Sequence, residues 1–228
     1  MFRWLIPTMA LCLAACSTYT SVPFEREAAN VQALTLTDDM LPDAPTLTMR
    51  DTVGSALGIV GALADAGVAS RRRAILAEAM RAADYDANTL FQDKVAEAIA
   101  AQGYDVAVLD VNRPDTDVLK HPPDAFGGDA LLDVAVTDYG FMSPGLGRPW
   151  RPSFTVKLRL VDAAGTVLMD NRLEHNPAHA TRGALRVPPV GTIWFETFDA
   201  MRDDPDRALA AMDEAMALVA ATIAETLG

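Results

Sequence analysis

The sequence predicts an α+β domain, a two-layer sandwich whose mixed or mainly antiparallel sheet carries helices on one face. Three observations predict it. Phe154, Val156, Leu158 and Leu160 alternate with Thr155, Lys157 and Arg159, and beyond a turn at Asp162-Ala163-Ala164-Gly165 the alternation resumes through Val167, Met169, Asn171 and Leu173. Period two with one apolar side marks a hairpin that is half buried and half wet. Phe91, Val95, Ala98, Ile99 and Gln102 recur at steps of three and four, and so do Leu209, Met212, Met216, Val219 and Ile223 near the end of the chain. That spacing is the single stripe of an amphipathic helix. Helices with one stripe and a sheet with one dry face bury those surfaces on each other.

The elements follow in order. Residues 16–45 read as a flexible tether, because Ser, Thr, Asp and Pro recur and no apolar period persists. Leu34-Thr35-Leu36 and Leu47-Thr48-Met49 are short strand candidates, and a single domain is expected over residues 46–228. In residues 52–69, Gly54, Gly58, Gly61 and Gly67 punctuate Val, Ala, Leu and Ile. Small residues at four-residue spacing let backbones approach closely, as in membrane helices. The run is too short to span alone and Asp65 interrupts it, so a small-residue helix or loop packed on the domain is expected.

Arg71, Arg72 and Arg73 oppose a helix N-terminus, so their helix starts earlier, and Asp84-Tyr85-Asp86 breaks it. Asn88 is the expected cap of the next helix and Gly103 its stop. Val-rich residues 104–111 and residues 130–141 read as strands, the second turning Leu132, Val134 and Val136 one way and Leu131, Asp133, Ala135 and Thr137 the other. Residues 175–203 form a loop longer than compact domains usually carry, and such loops tend to be functional or disordered. Asp204 caps the last helix and Pro205 opens it.

With 31 acidic against 19 basic residues the chain has a formal charge of −12. That balance argues against nucleic acid, whose phosphates demand Lys and Arg, and against electrostatic docking on anionic lipid. The N-terminus is the most informative stretch. Arg3 precedes apolar residues 4–15, and Leu13-Ala14-Ala15 leads into Cys16. This resembles the lipobox of bacterial lipoproteins. The resemblance implies that residues 1–15 are a signal peptide, that the Cys16 thiol is joined to a diacylglycerol, and that its new amino group is acylated by a fatty chain such as palmitate. Ser17 stands where an aspartate would commonly signal inner-membrane retention, so the resemblance implies the periplasmic face of the outer membrane. The apolar run is short for a membrane span, whereas each buried methylene of an acyl chain contributes about 0.8 kcal/mol and two or more chains hold a protein stably. Cys12 falls within the leader, which leaves Cys16 as the only thiol and allows no internal disulfide.

Gly103-Tyr104-Asp105-Val106, Asp129-Ala130-Leu131-Leu132 and Val156-Lys157-Leu158-Arg159-Leu160-Val161-Asp162 resemble, in their hydrophobic rhythm, small periplasmic lipoprotein domains of the cell-wall-synthase activator and curli-secretion types. The likeness covers roughly the second half of the mature chain and carries no functional residue with it.

Catalytic constellations are hard to assemble. His175 and His179 have the four-residue spacing of two zinc ligands, but Asn176-Pro177 between them favours extended backbone and no Glu follows to act as base. With His121 they read as exposed loop residues, and neither metal nor cofactor is expected. Gly145-Leu146-Gly147 lacks the setting of a phosphate loop, and no serine sits in a Gly-x-Ser-x-Gly elbow. Asp133, among apolar neighbours, needs a partner if its face is covered, and Arg159 or Lys157 is the expected one. The aromatic groups Trp194, Phe195 and Phe198, and Trp150 beside Arg148 and Arg151, either cover the sheet or stand out as binding anchors. Core cover is the default, and the four aromatics are the candidates for partner binding.

The expectation is therefore a non-enzymatic binding or assembly factor of the cell envelope, held to the membrane through Cys16 and meeting an envelope protein. Two alternatives stay open. One is a small-ligand or lipid-binding lipoprotein; the other is a self-assembling export component, with homo-oligomers built through the glycine-rich segment.

Overall fold

The computed structural model describes residues 18–50, 58–123, 125–189 and 193–228, with side chains left aside for residues 58–64. Seven strands form one mixed sheet: β1 (Ala33–Thr37), β2 (Thr46–Met49), β3 (Asp105–Leu109), β4 (Ala130–Ser143), β5 (Arg151–Asp162), β6 (Val167–His175) and β7 (Leu185–Arg186). The helices are α1 (Arg26–Ala29), α2 (Gly58–Ala82), α3 (Ala87–Ala101), α4 (Phe198–Arg202) and α5 (Pro205–Glu225). Across the sheet the order is β3-β1-β4-β5-β6-β7, with β2 following β1 along the same edge of β4. β4, β5 and β6 are antiparallel neighbours, whereas β1 runs parallel to β3 and β4, β2 parallel to β4, and β7 parallel to β6. The α+β architecture expected from periodicity is the one observed.

The register explains the layers. Val134 faces Leu158, Val136 faces Val156, and Leu173 lies beyond Val156 on β6. These side chains share one face, where Phe91, Val95 and Ile99 of α3 and Met212, Met216, Val219 and Ile223 of α5 meet them in one core. Each such side chain contributes about 1.5–3 kcal/mol by leaving water. Asp204 caps α5 by accepting from the Arg207 amide at 3.2 Å, with Pro205 in the first turn. Gly103 stops α3 in the left-handed region at φ +87°.

Several expectations are corrected. The tether drawn over residues 16–45 is, from Thr18 onward, part of the domain. β1 lies between β3 and β4, and Val31, Leu34, Leu36, Met40 and Leu41 are buried in the core. A five-residue strand paired on both edges gains from its neighbours what its own pattern is too short to announce. β3, by contrast, is an edge strand with Asp105, Ala107 and Val108 exposed. The cap of α3 is Asp86, whose carboxylate accepts from the Thr89 amide at 3.1 Å. Asn88 instead accepts from the amides of Met40 and Leu41 at 2.9 and 3.1 Å, which ties α3 to the chain after β1.

The partner of Asp133 is also different. Arg159 stands directly across from it in register, yet binds Asp170 at 2.8 Å, and Lys157 binds Asp117 at 2.7 Å. Arg113, from the loop between β3 and β4, reaches Asp133 at 2.6 Å, and both side chains are 4% exposed. That loop covers part of the sheet face away from the helices, with Val118 buried and the Leu119 amide donating to Asp133. Of the glycine-rich stretch, Gly58, Gly61 and Gly67 lie in α2 and Gly54 falls outside the described residues. No helix among the described residues is long and apolar enough to cross a membrane.

Candidate functional site

The long connection between β6 and α5 is stitched back onto the sheet. Trp150 and Phe195 form an antiparallel bridge, the Trp150 amide donating to the Phe195 carbonyl at 2.7 Å and the Phe195 amide to the Trp150 carbonyl at 2.9 Å. Extended backbone sends successive side chains to opposite sides. Phe195 therefore points inward, edge-on to Phe141 with ring centroids 5.9 Å apart, while Trp194 points outward and is 42% exposed. Trp150 meets Phe198 edge-on at 6.2 Å, and the Arg72 guanidinium lies over both rings, 5.6 and 5.1 Å from their centroids. Trp150, Phe195 and Phe198 are buried, so their work is to close the core. Among the four aromatic candidates, Trp194 is the one a partner can touch.

Trp194 also borders a cavity of about 200 Å³ between the end of β6 and α5. His175 lines it, because register with Phe154 turns that side chain to the helix face. Arg151, Asn176, Glu214 and Leu218 complete the part of the wall that matters chemically. His175 is buried, which corrects its reading as an exposed loop residue; His121 and His179 are exposed as expected. Burial pushes the His175 imidazole below the usual histidine range, against an opposing pull from the backbone of Val187 and Pro188. The ring is accordingly neutral at pH 7. Asn176 Nδ2 lies 3.1 Å from its Nε2 and 2.9 Å from the Pro152 carbonyl, so the amide donates to both and holds the ring in place.

The cavity thus offers an aromatic face at its mouth, a guanidinium, a carboxylate and a neutral imidazole. That is the equipment of a binding cleft, a mixed apolar and polar wall for one side chain or small head group. Among the described residues no group of three or more His, Cys, Asp or Glu is placed to hold a metal ion.

On the other side of the sheet the charged residues pair off. Glu174, buried, accepts from Arg172 at 2.9 Å, from the Thr181 amide at 3.0 Å and from Arg186. Cys16 lies outside the described residues, but the chain two positions later is fixed. Thr18 bridges Arg182, the Tyr19 amide donates to the Arg182 carbonyl at 2.8 Å, and Val22 bridges Asp170. The Tyr19 hydroxyl donates to the Asp170 carboxylate, and burial together with that acceptor pushes the phenol above its usual range. Sequence periodicity missed this docking because isolated bridges leave no apolar rhythm. The one available signal was Gly183, whose φ of +87° brings the Tyr19 carbonyl to within 2.2 Å of where a Cβ would stand.

No family model matches the chain, and no curated protein gives a significant match. Among solved structures it is similar to the lipoprotein GNA1162 from Neisseria meningitidis, at 20% identity over 62% of this chain and 81% of that one, with a TM-score of 0.28. It is also similar to a neuraminyllactose-binding hemagglutinin homolog from Helicobacter pylori, at 12% identity over 87% of each chain and a TM-score of 0.31. Overlaps this low carry nothing about function over to the present chain.

Proposed function

We propose that this chain is a lipid-anchored protein of the cell envelope, acylated at Cys16, whose α+β domain binds an envelope protein without catalysing a reaction. The observation that carries the proposal is the sequence Leu13-Ala14-Ala15-Cys16 behind a short apolar run. Ser17 favours the outer membrane, periplasmic face, as the address. The contact residue is Trp194, an exposed aromatic beside a cleft that holds Arg151 and Glu214. Interfaces concentrate their energy on such aromatic and arginine anchors. Anchoring confines the domain to one surface and raises its effective concentration toward partners held there. Against a lipid carried in this cleft stands its volume of about 200 Å³, below the roughly 300–1,000 Å³ of typical small-molecule sites.

Two variants test the two halves. Cys16→Ser should move the protein from the membrane fraction to the soluble fraction. Trp194→Ala should leave it in the membrane and folded, while abolishing the partner recovered after cross-linking in intact cells. Retention of Cys16→Ser in membranes defeats the anchor, and undiminished recovery with Trp194→Ala defeats the cleft. Lipid extraction from the purified domain followed by mass spectrometry separates the lipid-carrier reading, which requires a stoichiometric bound lipid.

A further inference from the structure

The docking of residues 18–22 makes the anchor a short one. From Cys16 to Thr18 is two residues, a reach of at most about 7 Å. Thr18 is held at Arg182, beside the outer edge of β6 and the connection that carries β7, so a lipid bonded to Cys16 would enter its membrane within that reach of Thr18. We propose that this edge is a membrane-contacting surface, and that the phospholipid layer receiving the acyl chains is its occupant. The proposal rests on acylation of Cys16.

The composition of the edge fits that occupant in two independent ways. Exposed aliphatic side chains flank it on both faces: Val22, which bridges Asp170, is 41% exposed, and Leu185 in β7, in register with Leu173 and so turned to the helix side, is 39% exposed. Its charge is also reversed relative to the molecule. Arg172 and Arg186 share the single carboxylate of Glu174, which leaves one positive charge over. Arg182 is exposed and, among the described residues, its side chain has no ion-pair partner. Arg159 and Lys157 are neutralised by Asp170 and Asp117. A locally positive, partly aliphatic edge on a chain of formal charge −12 is where anionic head groups can approach. The rest of the acidic surface is repelled, so attraction and repulsion orient the domain alike. The cleft at Trp194 lies on the helix side of the sheet, at the C-terminal end of β6.

Tryptophan fluorescence in vesicles of phosphatidylcholine and phosphatidylglycerol with brominated acyl chains tests the surface, since bromine quenches only indoles that enter the lipid. The lipidated chain from Cys16 onward carries Trp150, which is buried, and Trp194, and their emission in the parent protein is the reference against which the variant is read. The lipidated protein purified from membranes and its Leu185→Trp variant are each reconstituted. Emission gained by Leu185→Trp should be lost to the bromines, while parent emission is unchanged. Two outcomes overturn the surface: a Leu185→Trp indole as bright in brominated as in ordinary vesicles, or quenching of the parent equal to that of the variant. A parallel preparation, the chain from Cys16 onward coupled through that thiol to a maleimide phospholipid, separates the two proposals. If it is quenched while the native protein fails to float with vesicles, the acylation reading falls and the surface stands. If the native protein floats but neither preparation is quenched, the reverse holds. Quenching that depends on protein density in the vesicle would give the edge to a second copy of the chain and also overturn the lipid assignment.

Discussion

Replacing Arg113 with Leu should be among the most damaging single changes in the protein. Its guanidinium donates to Asp133 at 2.6 Å, to the Asp117 carbonyl at 2.6 Å and to the Asp39 carbonyl at 2.9 Å, and it is almost wholly buried. With Leu in place, the Asp133 carboxylate keeps Thr37 and the Leu119 amide but loses its counter-charge. Removing one partner of a buried ion pair costs about 3–5 kcal/mol, because the remaining charge is stranded. At about 2–4 °C per kcal/mol for a domain of this size, the melting temperature should fall by roughly 6–20 °C. The double variant Arg113→Leu/Asp133→Leu removes the stranded charge and should recover part of the loss, not all of it, since the two carbonyls remain without their donor. Urea unfolding and thermal circular dichroism read both values, and hydrogen exchange at Val118 and Leu119 reports whether the covering loop has come loose. A cost under about 1 kcal/mol for Arg113→Leu, or a double variant worse than the sum of the singles, would refute the reasoning.

Further consequences are open to measurement. Trp150→Ala should cost about 3–5 kcal/mol as a core cavity, whereas Trp194→Ala should stay within about 0.5 kcal/mol, and differential scanning fluorimetry separates them. For Glu174, burial raises the carboxyl pKa, but the Thr181 and Arg172 contacts outweigh it and hold the group below its usual range. Its contribution is therefore full above the unfolded carboxylate value of about 4.3 and drains away as pH falls toward the folded value; Glu174→Gln should flatten the acid limb of stability against pH. Burial depresses the His175 pKa, so stability declines as pH drops below about 6.5, and His175→Phe should remove that slope. Gly183→Ala forces a side chain onto the Tyr19 carbonyl and should free residues 18–22, seen as new proteolytic cleavage there with the core transition nearly unchanged.

The parts of the fold with their own period were legible in the sequence. The β5–β6 hairpin, the stripes of α3 and α5, and the Asp204-Pro205 start each carry a local signal that tertiary structure left intact. What was hidden depended on distant partners. β1 is central only because β3 and β4 arrive on either side, and Thr18 and Val22 dock through backbone bridges that any sequence of similar size could make. The Asp133 partner was misplaced for a related reason: strand register put Arg159 opposite, while a loop arginine from outside the sheet took the position. At the candidate site the sequence singled out four aromatics but could not sort them. The Trp150–Phe195 bridge does so, fixing which side of the strand each faces. His175 escaped because the Asn176-Pro177 step suggested open loop, while the final residue of β6 is drawn inward by its pairing with Phe154.

Intact-mass analysis of the protein extracted from its native membrane tests the central claim most directly. The account predicts a polypeptide beginning at residue 16 and heavier than its sequence by a diacylglycerol and an amide-linked acyl chain. A leader still in place, or a Cys16 with no added mass, would contradict it.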